Sequence, residues 1–335
     1  MNLSQVEMLT HTEARQFVRR SIDKTEALKN CGVFVAVDES GAPVTSSRMD
    51  GVAGFAVRLS RAKAYCAAAL REPSAVIYDR LKDRPAGIFL GYQDFARDHF
   101  FIGQGAMLIE QKGVTVGALA TGAGIGPFAK IDGVEAEQLI VDGKPANLED
   151  LIICYALGIP YQSQHGDDDE RWLKAYDKPA SEFGEGRGFE ESPEAQNQVR
   201  LDEAIKLADA AMAEAERRKV AVSVVVTDRT GDQIQLDRMN GAAPMTPDLA
   251  EAMAVTAINF QSTSRAAAEF IKANPGYESA NEIAPYKFLA VAGGVPIYDG
   301  ATLVGGLGVA GAEPRQCEDI AITAVSACGG SIEGN

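Results

Sequence analysis

Apolar positions along the chain fall into short unbroken runs and into longer stretches with helical spacing. The runs are Val33-Phe34-Val35-Ala36-Val37 and Val222-Ser223-Val224-Val225-Val226. Their length and β-branched content predict buried strands. Between Leu201 and Lys219, Leu201, Ile205, Ala208 and Met212 share one face of a predicted helix. Further helices are predicted over about Pro247–Phe260 and Ser264–Ala273, with Thr246 as candidate N-cap. Strands are predicted over about Phe288–Ala292, Pro296–Tyr298 and Thr302–Ala310, and a closing helix after Pro314.

Both apolar runs open the same pattern. Asp38, Gly41, Arg48, Met49 and Gly51 recur 190 residues later as Asp228, Gly231, Arg238, Met239 and Gly241. Each copy predicts a hairpin of strand, Asp-x-x-Gly turn and second strand, ended by a glycine of positive φ at Gly51 or Gly241. Farther along, Gly103 answers to Gly293, and Val116 to Gly122 answers to Val304 to Gly311. Glu149-Asp150-Leu151 returns as Glu318-Asp319-Ile320, displaced by only 169 residues. The first copy therefore holds an insertion of about 20 residues, near 124–145, whose Asp132-Gly133 and Asp142-Gly143 pairs predict an extra hairpin.

Helix, two strands, helices, two strands and helix in each copy predict an α+β fold, in which helices sandwich antiparallel sheets. The expected domains are 1–161 and 196–335. Residues 162–195 join them, with ten acidic and four basic side chains. Trp172, Tyr176, Phe183 and Phe189 in this linker are expected to pack on a domain or a neighbouring subunit. The run Asp167-Asp168-Asp169-Glu170 reads as a solvated face rather than a cation site.

Charge and composition then narrow the function. Of 335 residues, 47 are acidic and 32 basic, a net charge of −15. A phosphate-tracking surface needs clustered cations, so nucleic acid is excluded as a partner. Membrane binding is not expected either, because neither a polybasic stretch nor an apolar run of bilayer length is present. The five cysteines are scattered with no Cys-x-x-Cys pair, which speaks against a zinc site and for a reducing, cytoplasmic setting. No metal site is expected. The only histidines, His11, His99 and His165, all lie in the first half.

Several of these motifs, taken in order, resemble one family. The Val-rich strand, Asp-x-x-Gly, Arg-Met-Asp/Asn-Gly, Gly293-Gly294-Val295-Pro296-Ile297 and Gly305 to Gly311 are similar to the GlcG/HbpS family. That family includes the C-terminal domain of PduO and is known as the haem-degrading domain family. The likeness covers about Leu201–Cys328 and, more loosely, Thr12–Leu157. It implies a profilin-like α-β-α sandwich in each copy, a homo-oligomer, and a pocket for haem or another small molecule. The first copy departs from the pattern at Gly103-Gln104-Gly105-Ala106-Met107, and Asn240 replaces the acid present as Asp50.

Three kinds of residue are candidates for chemistry. Arg48 and Asp50 would share a face of an extended strand, where Arg48 can grip a carboxylate and Asp50 can move a proton. His99, beside a Gly-rich strand edge, is a candidate general base or haem ligand. His11 is a second candidate ligand, although it also reads as a residue flanking the first helix. His165, in the acidic linker, reads as solvent-exposed. In the second copy, which has no histidine, the candidates for ligand contact are Tyr286, Lys287 and Arg238. The strand glycines have neither P-loop nor Rossmann spacing, so they point to close backbone approach to a ligand or a neighbouring strand. Two functions fit. One is a haem- or tetrapyrrole-binding protein, with haem degradation as a further activity that the resemblance implies. The other is a cofactor-independent isomerase, hydratase or lyase for a small anionic or aromatic substrate; a purely structural role is a third alternative.

Overall fold

The structure, a computed structural model, describes residues 8–28, 30–96, 99–123, 140–164, 198–283 and 286–334. Contacts divide the chain into Met1–Glu190 and Glu191–Asn335. The predicted linker, with His165 and the acidic run, lies almost wholly outside the described residues.

The first unit runs α1 (His11–Ala27), β1 (Gly32–Asp38), β2 (Pro43–Arg48), α2 (Phe55–Leu70), α3 (Ser74–Leu81), α4 (Ala86–Ala96), β3 (Ala106–Gln111) and β4 (Val114–Ala123). A two-strand arm, β5 (Ile140–Val141) with β6 (Lys144–Pro145), and α5 (Leu148–Leu157) complete it. Its main sheet is antiparallel in the order β3-β4-β1-β2. The inserted arm turns at Asp142-Gly143, both with positive φ, as the Asp-Gly pair predicts. The other predicted pair, Asp132-Gly133, lies outside the described residues.

The second unit repeats the plan with α6 (Leu201–Arg217), β7 (Ser223–Asp228), β8 (Gln233–Arg238), α7 (Thr246–Phe260), α8 (Ser264–Ala273) and a short α9 (Ala280–Ile283). After these come β9 (Gly294–Asp299), β10 (Thr302–Ala310) and α10 (Pro314–Ala327). Its strands run in the order β9-β10-β7-β8, again antiparallel.

Each sheet is covered on both faces. A methyl group on Gly122 would meet Ser60 of α2, whereas one on Gly117, five positions away and so on the other face, would meet Leu9 ahead of α1. The α+β class and the α-β-α layering expected from sequence are therefore present. The Asp-x-x-Gly turns have a local cause. Asp38 Oδ1 accepts from Ser40 N at 2.9 Å and Ala42 N at 3.1 Å, and Asp228 Oδ1 accepts from Thr230 N at 2.8 Å and Asp232 N at 3.1 Å.

Several expectations need correction. Thr246 is the first residue of α7 rather than its cap; Met245 holds the cap position, and Thr246 Oγ1 donates to Ala243 O. Phe288–Ala292 is not a strand. Phe288 N donates to Asn281 Oδ1 at 2.5 Å, Leu289 N to Thr256 Oγ1 at 2.8 Å and Val291 N to Leu289 O at 2.9 Å, so these amides join no ladder. The equivalence of Gly103 with Gly293 also fails. Ala106 pairs with Ala120 as Gly294 pairs with Gly308, and Thr121 N donates to Gly105 O as Val309 N donates to Gly293 O. Gly105 is thus the partner of Gly293.

The strand glycines do permit close approach, but to a helix and to neighbouring backbone. Methyl groups on Gly306 and Gly308 would run into the Ala254 and Ala250 carbonyls of α7. Among the described residues no helix is long and apolar enough to cross a membrane.

Candidate functional site

Helix α4 is apolar almost throughout, yet much of it faces solvent. Ile88, Tyr92 and Phe95 stand at i, i+4 and i+7 on one face, and are 45%, 37% and 88% exposed. The helix is tied down where Tyr92 stacks on Phe100, ring centroids 5.6 Å apart, beside a core cluster of Cys66, Ile77, Leu81, Phe100 and Ile102. The preceding residue is His99. Its exposed imidazole lies 5.4 Å from the ring of Tyr65 on α2. Tyr65 in turn covers Gly41 of the β1–β2 turn so closely that a methyl group there would enter its ring. Cys66 Sγ donates to His99 O at 3.5 Å and anchors that backbone. The result is an imidazole on the Tyr65 ring, with the next residue, Phe100, holding the exposed apolar helix α4.

Beneath this surface lies a buried charge network that sequence reasoning missed. Lys63 Nζ, from α2, donates to Thr121 O at 2.6 Å, to Gln104 O at 2.8 Å and to Glu149 Oε1 at 3.4 Å. Gly105 makes the junction possible: its φ is +98°, and a methyl group there would overlap the Glu149 carboxylate and Thr121 O. Asp150 accepts from Gln104 Nε2 at 2.9 Å, Gln164 N at 3.0 Å and Gln164 Nε2 at 2.8 Å. Burial, only partly offset by these donors, pushes the Asp150 carboxyl up to about 7, with the Glu149 charge adding to the rise. With three acceptors on one ammonium and three donors on one carboxylate, the network is a structural clamp on the β3–β4 end. Its only sequence signal was the repeated Glu-Asp pair.

The residues singled out from sequence are dispersed. Arg48 ends β2, is buried, and donates from Nη1 to Val52 O at 2.9 Å. Asp50 is not on the strand but in the exposed turn after it, so the same-face pairing with Arg48 does not arise from strand alternation. Its charge, after burial, helps push the Cys31 thiol up to about 12. His11 opens α1, whose cap is Thr10. Arg238 is half-buried at the end of β8, and Lys287 is exposed. Tyr286 Oη donates to Asn259 Oδ1 at 3.3 Å, and its ring meets Phe288 at 5.6 Å. His99 and Arg48 therefore belong to different surroundings. Among the described residues no group of His, Cys, Asp and Glu is arranged to hold a metal ion.

The family described as Haem degrading protein HbpS-like matches residues 9–126 and 199–326, one match in each unit. The chain belongs to the HbpS-like family. Both members of the sequence repeat are thereby accounted for. Among solved structures, a double mutant of HbpS from Streptomyces reticuli is 31% identical over 39% of this chain and 86% of its own, with a TM-score of 0.36. PduOC in complex with haem is 25% identical over 41% of this chain and 99% of its own, at a TM-score of 0.38. Protein ORFY of Klebsiella pneumoniae is 21% identical over 39% of this chain and 90% of its own, at 0.37. No curated protein matches the chain.

Proposed function

We propose that this HbpS-like protein binds haem or a related tetrapyrrole on its first unit, where His99 would hold it as the nitrogen donor. The observation that carries this is the exposed His99 imidazole on the Tyr65 ring, one residue from Phe100, on which Tyr92 of the solvent-facing α4 stacks. A flat, largely apolar metal-bearing macrocycle would be held by such groups: a nitrogen donor, aromatic faces and an apolar edge. The donor set thus fits the group that the family description names. Bound haem would supply iron-centred redox chemistry. The unit's own part is to hold His99 in place through Tyr65 and the Cys66 contact to its carbonyl, and to shield one ring edge with α4.

An enzyme using Arg48, Asp50 and His99 together is less well supported, because the Arg48 guanidinium is turned to Val52 O and His99 to Tyr65. Self-association into a homo-oligomer is part of the proposal, and sedimentation velocity tests it.

Titration with hemin, followed by absorbance, tests the ligand. A saturable Soret band is expected, weakened about tenfold or more by His99→Ala and unchanged by His11→Ala. A band indifferent to His99→Ala would remove His99 from the site.

A further inference from the structure

We infer that the chain carries one such site rather than two, because the second unit fills the equivalent surface with its own aromatic side chains. The inference rests on the haem reading of the first unit. With Gly105 equivalent to Gly293, His99 corresponds to Lys287 and Phe100 to Phe288. The turn glycines supply the second correspondence. A methyl group on Gly41 would enter the Tyr65 ring, while one on Gly231 would lie 3.5 Å from Val255 Cγ2. Both the imidazole and the ring beneath it are therefore replaced in the second unit.

In their place the second unit packs aromatic rings on one another, with Phe270 and Tyr277 still 44% and 49% exposed at the outer side. The Phe260 ring lies 5.8 Å from Phe270, 6.1 Å from Tyr277 and 6.1 Å from Phe288. Phe270 and Tyr277 meet edge-on at 5.1 Å. These are mutually favourable edge-to-face and tilted contacts, which a ligand would have to break to enter. The segments that carry Phe270 and Tyr277 correspond to α3 and α4 of the first unit, where Phe95 is instead 88% exposed. Of the two phenols here, Tyr286 is bonded to Asn259 and Tyr277 packs edge-on against Phe270.

Hemin titration of the full chain, with protein concentration fixed by amino-acid analysis, decides the matter. The expected result is a break at one equivalent, lost in His99→Ala while circular dichroism shows the fold retained. Two saturable equivalents would overturn the inference and leave the haem reading standing. A single site that survives His99→Ala but is lost in Lys287→Ala would also overturn it, by moving the site to the second unit. Absence of any saturable site would instead remove the haem reading itself, and the inference with it.

Discussion

Glu149 and Glu318 occupy the same position of the repeat and are almost equally buried, yet each finds its cation in a different place. Glu149 takes Lys63 from α2, a side chain that is itself buried. Glu318 takes Arg265 from the start of α8, whose side chain is 54% exposed. At the place of Lys63 the second unit has Met253, which packs against Gly293 and Gly294. The apolar stem is kept while the charge is moved to a side chain that water can reach. The exchange is incomplete, since Glu318 Oε2 has no hydrogen-bond partner among the described residues. A volume exchange lies one turn away on the same helix. In the first unit Ser60 sits over Gly122, with its hydroxyl buried and without a partner among the described residues. In the second, Ala250 and Ala310 share one cluster with Met253. At these two positions α2 is thus polar where α7 is apolar. Duplication kept the backbone and let the two interiors balance charge and volume by different routes.

Lys63→Met puts the second unit's solution into the first without its arginine. It should take the Lys63 ammonium away from the buried Glu149 carboxylate and cost about 3–5 kcal/mol. Urea denaturation measures this, and a loss below about 1 kcal/mol would mean that groups other than Lys63 balance Glu149.

Asp150 separates the units by pH. Its folded pKa of about 7 lies above the ordinary 3.8, so between these values the folded state binds more protons than the unfolded one. Stability from this group therefore falls as pH rises, by roughly 2 kcal/mol between pH 5 and pH 7. Asp150→Asn should flatten that part of the profile, and an unchanged slope would assign it to other groups.

The smallest effect is expected from Ser60→Ala, which copies Ala250. It removes a hydroxyl without a partner but leaves the space over Gly122 emptier, for a net gain between zero and about 1 kcal/mol. A clear loss of stability would show that filling the space over Gly122 outweighs the cost of burying the hydroxyl.

The sequence by itself determined what depends on near neighbours and on counting. The duplication, the Asp-x-x-Gly turns, the glycine-ended hairpins, α8 over Ser264–Ala273 and the want of histidine in the second half were all legible there. The turns were legible because Asp38 and Asp228 bond to amides two and four residues on, within the reach of one short side chain. Only the tertiary structure decided the rest. Lys63 meets Glu149 across 86 positions, and Ser74 and Ser264 receive the amides of Ala106 and Gly294 across 32 and 30. Phe288–Ala292 has the composition of a strand, but distant side chains claim the amides of Phe288 and Leu289 first. The His99 surface was half legible: the imidazole was evident, but its floor was not, because Tyr65 reaches it only when α2 is laid across the sheet. Such contacts depend on which faces packing brings together, and hydrophobic periodicity specifies a face without naming the residue opposite.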